Sequence, residues 1–108
     1  MFETSYEKAQ VLKILLEVKE EIVFPFEGSS MLPTIKRKAK LLVRKLESIE
    51  LDRIYVFFLH EADDPFPRLV CHRLVKIEEE NHYFKGDNRE SLEIVNKDAI
   101  LGVVSRWS

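Results

Sequence analysis

The sequence has little cysteine, little glycine, no long apolar run and no dominant sign of charge. One cysteine in 108 residues, Cys71, permits no internal disulfide, so a disulfide-stapled fold is excluded and a reducing, cytoplasmic compartment is expected. Glycine occurs only at 28, 86 and 102. The longest apolar run, Ile54-Tyr55-Val56-Phe57-Phe58-Leu59, is far shorter than the roughly 20 residues a spanning helix needs, so no transmembrane segment is expected. The start, Met1-Phe2-Glu3-Thr4-Ser5-Tyr6-Glu7, lacks a basic region followed by an apolar one, which predicts no secretory signal. With 17 Lys+Arg against 19 Asp+Glu the formal charge is −2, which argues against nucleic acid as a partner.

What is present suits one folded domain. Hydrophobic residues make up 45 %, with seven Phe, three Tyr and one Trp, enough for a modest core and too many for intrinsic disorder. Residues 4–20 read as an amphipathic helix. Thr4 and Glu7 have capping-box spacing, and Ala9, Leu12, Leu15 and Leu16 form a stripe that Val11, Ile14 and Val18 widen. That stripe is expected to pack on its own domain. The division is therefore an N-terminal helix over 1–21 and a β domain over 22–108.

Ile22–Phe26 reads as a short strand that Pro25 confines to an edge or a bulge. Further strands are predicted over 40–46, 53–59, 68–77, 82–85 and 99–106, all rich in Val, Ile, Leu, Phe or Tyr. Polar or Pro-containing breaks separate them, so the fold class is mainly β, a compact antiparallel domain with one N-terminal helix. In the strand 68–77, a period of two puts Val70, His72 and Leu74 on one face, with Leu69, Cys71, Arg73, Val75 and Ile77 on the other. Both faces are largely apolar, which predicts a partly buried His72 whose ring nitrogens need partners.

Three short segments could carry chemistry. Gly28-Ser29-Ser30-Met31-Leu32-Pro33 is either a polar turn or a loop whose serine hydroxyl lies among backbone N–H groups able to hold an oxyanion. His72 is either a satisfied core histidine or a general base. Lys85-Gly86-Asp87-Asn88-Arg89 is either a hairpin turn or a loop that orients that base.

Gly-x-Ser-Met-x-Pro-Thr, His-Arg-Leu-Val and Lys-Gly-Asp-Asn occur in this order, followed by Ile100-Leu101-Gly102-Val103-Val104. Over about residues 22–106 this pattern resembles the signal peptidase I family and its LexA-like relatives, serine peptidases of a mostly β fold. All three glycines fall in matching segments. The resemblance implies Ser30, directly before Met31, as nucleophile, with Ser29 the lesser candidate. It implies that Met31 and Pro33 shape the turn and the cleft, and that the Ser30 N–H contributes to an oxyanion hole. Some members carry a further serine two residues before the nucleophile; here that residue is Gly28, so backbone groups must supply more of the hole.

The resemblance implies His72 as base and Arg73, Gly86 and Asn88 as support. Common bacterial members have a lysine where His72 stands; a histidine there resembles the archaeal and endoplasmic-reticulum type. The supporting acid would be Asp87 first and Glu93 second, and Asp87 could instead only brace its own loop. Before Ile54 the family's Gly-Asp is replaced by Leu51-Asp52-Arg53, so that turn should differ.

The expected function is a serine endopeptidase cleaving an extended peptide or leader segment, without metal or cofactor. The alternative is an inactive peptidase-fold module that binds a peptide or protein partner. A self-cleaving regulator is disfavoured, because the chain contains no Ala-Gly or Cys-Gly bond. The six basic residues within Lys36–Lys45 read as a solvated basic edge, although they or the helix stripe leave peripheral membrane contact open. The spacing of His60, Glu61, Asp63 and Asp64 matches no closed zinc or calcium site.

Overall fold

The structure, a computed structural model, describes residues 6–60, 63 and 68–108. Helix α1 (Tyr6–Val18) is followed by β1 (Glu21–Pro25), β2 (Lys40–Lys45), β3 (Ile54–Leu59), β4 (Arg68–Glu78), β5 (Asn81–Lys85), β6 (Leu92–Asn96), a 3₁₀ turn Lys97–Ala99 and β7 (Ile100–Trp107). All strands join one antiparallel sheet in the order β1-β2-β7-β3-β4-β5-β6. The protein is thus mainly β with one N-terminal helix. Pro25, which has no N–H to give a ladder, lies on the edge strand β1. The proposed capping pair falls outside the described residues at Thr4, and His60 to Asp64 do so at Glu61 and Asp64.

The sheet has a core on each face, and the period-two alternation of β3 and β4 sorts side chains between them. Ile54, Val56, Leu69 and Cys71 pack on one side with Leu12 and Leu16 of α1 and with Phe26, Met31, Ile35 and Ala39 of the β1–β2 connection. Tyr55, Phe57, Leu59, Val70 and Leu74 pack on the other with Phe84, Val95, Ile100 and Val103. The long β1–β2 connection is therefore fastened to the core at four points, which fixes the serine segment within it.

Three expectations need correction. First, among the described side chains of the α1 stripe only Leu12 and Leu16 are buried, while Val11, Ile14 and Val18 are 54 %, 58 % and 76 % exposed. Gly102 lets Leu16 sit tight on the sheet: a methyl there would lie 3.0 Å from Leu16 Cδ1 and 2.7 Å from Val43 Cγ1. Second, β2 is not an edge, since β1 covers it, although its basic side chains are solvated and Arg44 faces Glu21 at 3.6 Å. Third, residues 92–96 form β6, a strand absent from the sequence prediction. Its apolar Leu92 and Ile94 alternate onto the outward, exposed face while Glu93 and Val95 point inward, so the usual apolar-in pattern is inverted. The departing turn before β3 also has a physical form: Asp52 takes φ 71, the left-handed region that Asp tolerates better than most residues.

Candidate active site

The ladder between β4 and β5 begins at Arg73–Lys85, whereas β3 pairs with β4 from Arg68 to Arg73. Just before that point the β4 residues Val70, Cys71 and His72 line a cleft of about 310 Å³, with Gly28, Ser29 and Ser30 contributed by the β1–β2 connection.

His72 is 7 % exposed and stands on the same face as Leu74. Register explains its partner. Leu74 lies opposite Phe84, and Phe84 lies opposite Glu93, so the pleat puts His72, Leu74, Phe84 and Glu93 on one face of the sheet. Beneath the imidazole, Phe57 meets it edge-on with ring centroids 6.2 Å apart, and Phe57 in turn stacks on Phe84 at 4.1 Å. His72 Nδ1 lies 2.5 Å from Glu93 Oε1. With the carboxylate ionised, Nδ1 carries the proton and donates, which leaves the Nε2 lone pair as acceptor.

Nε2 and the serine loop meet at Gly86. A Cβ there would lie 2.7 Å from Ser30 O and 3.0 Å from His72 Nε2, so only glycine lets the serine backbone and the imidazole approach the same α-carbon. The Ser30 loop is locked to the segment after Gly86 by the Asn88 N–H donating to Ser30 O at 2.8 Å and Asn88 Nδ2 donating to Ser29 O at 3.2 Å. Met31, fully buried, anchors the loop from below and accepts the Asp87 N–H at Sδ, 3.3 Å away.

The two serines differ in what they do. Ser29 Oγ accepts from Arg89 Nη2 at 3.2 Å. Ser30 Oγ and the Ser30 N–H have no hydrogen-bond partner among the described residues, so both are open to a ligand in the cleft.

Asp87 does not support the imidazole. It takes a two-pronged bond from Arg73, Nε to Oδ1 at 2.9 Å and Nη2 to Oδ2 at 2.8 Å, and a further bond from Thr34 Oγ1 at 2.5 Å. Arg73 Nη1 also donates to Asp52 O at 2.6 Å. Asp87 leaves β5 past Gly86 and cannot share the face that register assigns to Glu93. The order of the two candidate acids is thereby reversed: Glu93 is on His72, and Asp87 joins the serine loop to β4. Pro33 is exposed and Met31 is buried beneath the loop; neither lines the cleft, because the turn closed by the Ile35 N–H on Met31 O carries the chain away from it. Cys71 is no rival nucleophile, since burial pushes its thiol far above its ordinary pKa.

The Arg73 guanidinium holds the Asp87 carboxyl below its ordinary value, with the Thr34 hydroxyl adding to the effect. A depressed folded pKa stabilises the protein above the unfolded value of 3.8, and that stability is lost as pH falls through the lower folded value. Asp87→Asn is expected to cost about 2–3 kcal/mol at neutral pH, since it weakens several charge-assisted bonds in a half-buried pair. Thermal melts should show a drop of roughly 10 °C at pH 7 that shrinks under acid. An equal drop at all pH values would contradict this role.

The sequence reading did not give cleft positions to Arg37, Arg68, Arg89 or Ser91. Arg37 lay within the basic run and Arg89 within the Gly-Asp-Asn segment, so each carried a signal without a direction. No protein-family model, curated protein or solved structure matches this chain.

Proposed function

We propose that the chain is a serine endopeptidase of the signal peptidase type. The observation that carries the reading is His72, oriented at Nδ1 by Glu93 while Nε2 abuts Gly86 together with the Ser30 backbone. In this mechanism Ser30 Oγ attacks a peptide carbonyl and His72 Nε2 takes the hydroxyl proton. The Ser30 N–H donates to the oxyanion. Collapse of the tetrahedral species breaks the C–N bond, and His72 returns the proton to the leaving amine. Water, deprotonated by the same nitrogen, then releases the acyl group. The substrate is an extended segment that lies beside Val70–His72 of β4, ahead of the point where β5 joins the sheet at Arg73.

A second reading is a peptidase-fold module that binds a peptide without cutting it. It is favoured by the absence of a hydrogen bond between Ser30 Oγ and His72 among the described residues, although such bonds are often long before substrate arrives. Turnover of an extended-peptide library separates the two. The peptidase reading predicts cleavage by the wild type and none by Ser30→Ala; binding without cleavage by both supports the module.

A further inference from the structure

Among the described residues the charged lining of the cleft is mostly basic, in a protein that is, as a whole, slightly acidic. That lining is Arg37, Arg68 and Arg89 with His72 and Glu93, and Glu93 is already engaged by His72. Arg89 donates to neutral acceptors, Asn88 O and Ser29 Oγ, and forms no ion pair with a described carboxylate. Arg37 has no ion pair with any described residue and lines both this cleft and the neighbouring hollow with Glu27, Gly28 and Lys38. Both arginines adjoin the serine loop: Arg89 donates to Ser29 Oγ, and Arg37 lines both hollows together with Gly28. Their forked donors match carboxylates, and positive charge in a partly enclosed cleft attracts anions more strongly than the same charge on open surface.

We infer that the cleft selects acidic polypeptide segments, with Arg37 and Arg89 as the specificity determinants. This rests on the peptide-binding part of the reading above and adds the substrate class. The shape favours a chain over a small anion. A cleft of about 310 Å³ is larger than a small anion fills and suits a stretch of extended chain. The remaining lining mixes apolar Phe26, Leu59 and Val70 with Ser29, Ser30 and Ser91, which suits a chain whose acidic side chains are spaced by other residues.

The test uses full-length Ser30→Ala protein, which cannot turn its ligand over, and fluorescein-labelled nonapeptides with Asp and Glu at alternate positions or with Asn and Gln in their place. Anisotropy is expected to show at least about tenfold tighter binding of the acidic peptide. Arg37→Gln and Arg89→Gln should each reduce that preference and the pair should abolish it, while Arg37→Lys with Arg89→Lys should restore part of it. Both positions are exposed, and unchanged melting temperatures confirm that the variants fold. Equal affinity for the two peptides, no binding of either, or a preference that survives the double Gln change would overturn the inference. Wild-type turnover separates this from the peptidase reading. Acidic preference without cleavage leaves charge selection standing and removes the enzyme; cleavage of both peptides at equal rates does the reverse.

Discussion

For the proposed peptidase, His72→Ala is expected to lower kcat for peptide cleavage by about 10⁴-fold or more, and Ser30→Ala to do the same. The two losses are equal in kind because the residues act as a unit: without Nε2 the hydroxyl keeps its proton, and without the hydroxyl there is nothing for Nε2 to deprotonate. The double variant should therefore be no worse than either single one. Residual activity would come from the Ser30 N–H and from binding in the cleft. His72 is buried and its loss leaves Glu93 without its main partner, so His72→Gln, whose amide can still donate to Glu93, is the second variant. It should fold and remain inactive. Single-turnover rates on the best peptide of the library check both, and additive losses in the double variant would contradict a Ser30–His72 unit.

In the proposed mechanism Glu93→Gln is expected to lower kcat by about 10²–10⁴-fold with a much smaller change in KM, because the amide keeps the shape of the side chain and loses the charge that orients the imidazole. Asp87→Asn behaves oppositely. Its main effect is on melting temperature, since Asp87 acts through Arg73, Thr34 and the serine loop and does not touch the imidazole. Its loss of kcat should be the smaller of the two once both proteins are compared well below their melting points. The reverse ranking, with Asp87→Asn the less active enzyme and Glu93→Gln nearly normal, would mean that the acid on His72 in this fold has no catalytic role.

The two acids also mark where sequence reading stops. Strand β4 was legible because Val, Leu and Cys on both sides of a histidine require burial, and β1 because proline belongs on an edge. The Gly86 turn was legible as a turn. Its reason, an approach of Ser30 O and His72 Nε2 that no side chain allows, is a three-dimensional fact that composition cannot carry. Glu93 is placed only by resemblance, as an acid some residues past the Gly-Asp-Asn motif; its own strand, β6, was not legible because its outward Leu92 and Ile94 and inward Glu93 invert the usual pattern. Only the pairing of β6 with β5, and of β5 with β4, puts that carboxylate on the histidine face. Asp87 ranked first because it lies in the recognisable loop, yet Arg73, next to His72 in sequence and on the opposite face of the strand, takes it. The helix stripe failed for a simpler reason. Periodicity says which residues share a face, and it does not say how much of that face the sheet will cover.

The cleft arginines follow the same logic. Arg37 and Arg89 are separated in sequence, and each belongs to a segment whose charge has an ordinary solvated explanation. Folding brings both to one cleft with Ser30, and the inferred role in recognition rests on that placement.

The central claim is that Ser30 is an activated nucleophile with His72 as its base. The most direct measurement is labelling of the native protein with a serine-reactive phosphonate, followed by intact mass and peptide mapping. The account predicts one adduct, on Ser30, formed far more slowly in His72→Ala and absent in Ser30→Ala. An unmodified protein, or an adduct at Ser30 that forms equally fast without His72, would contradict it.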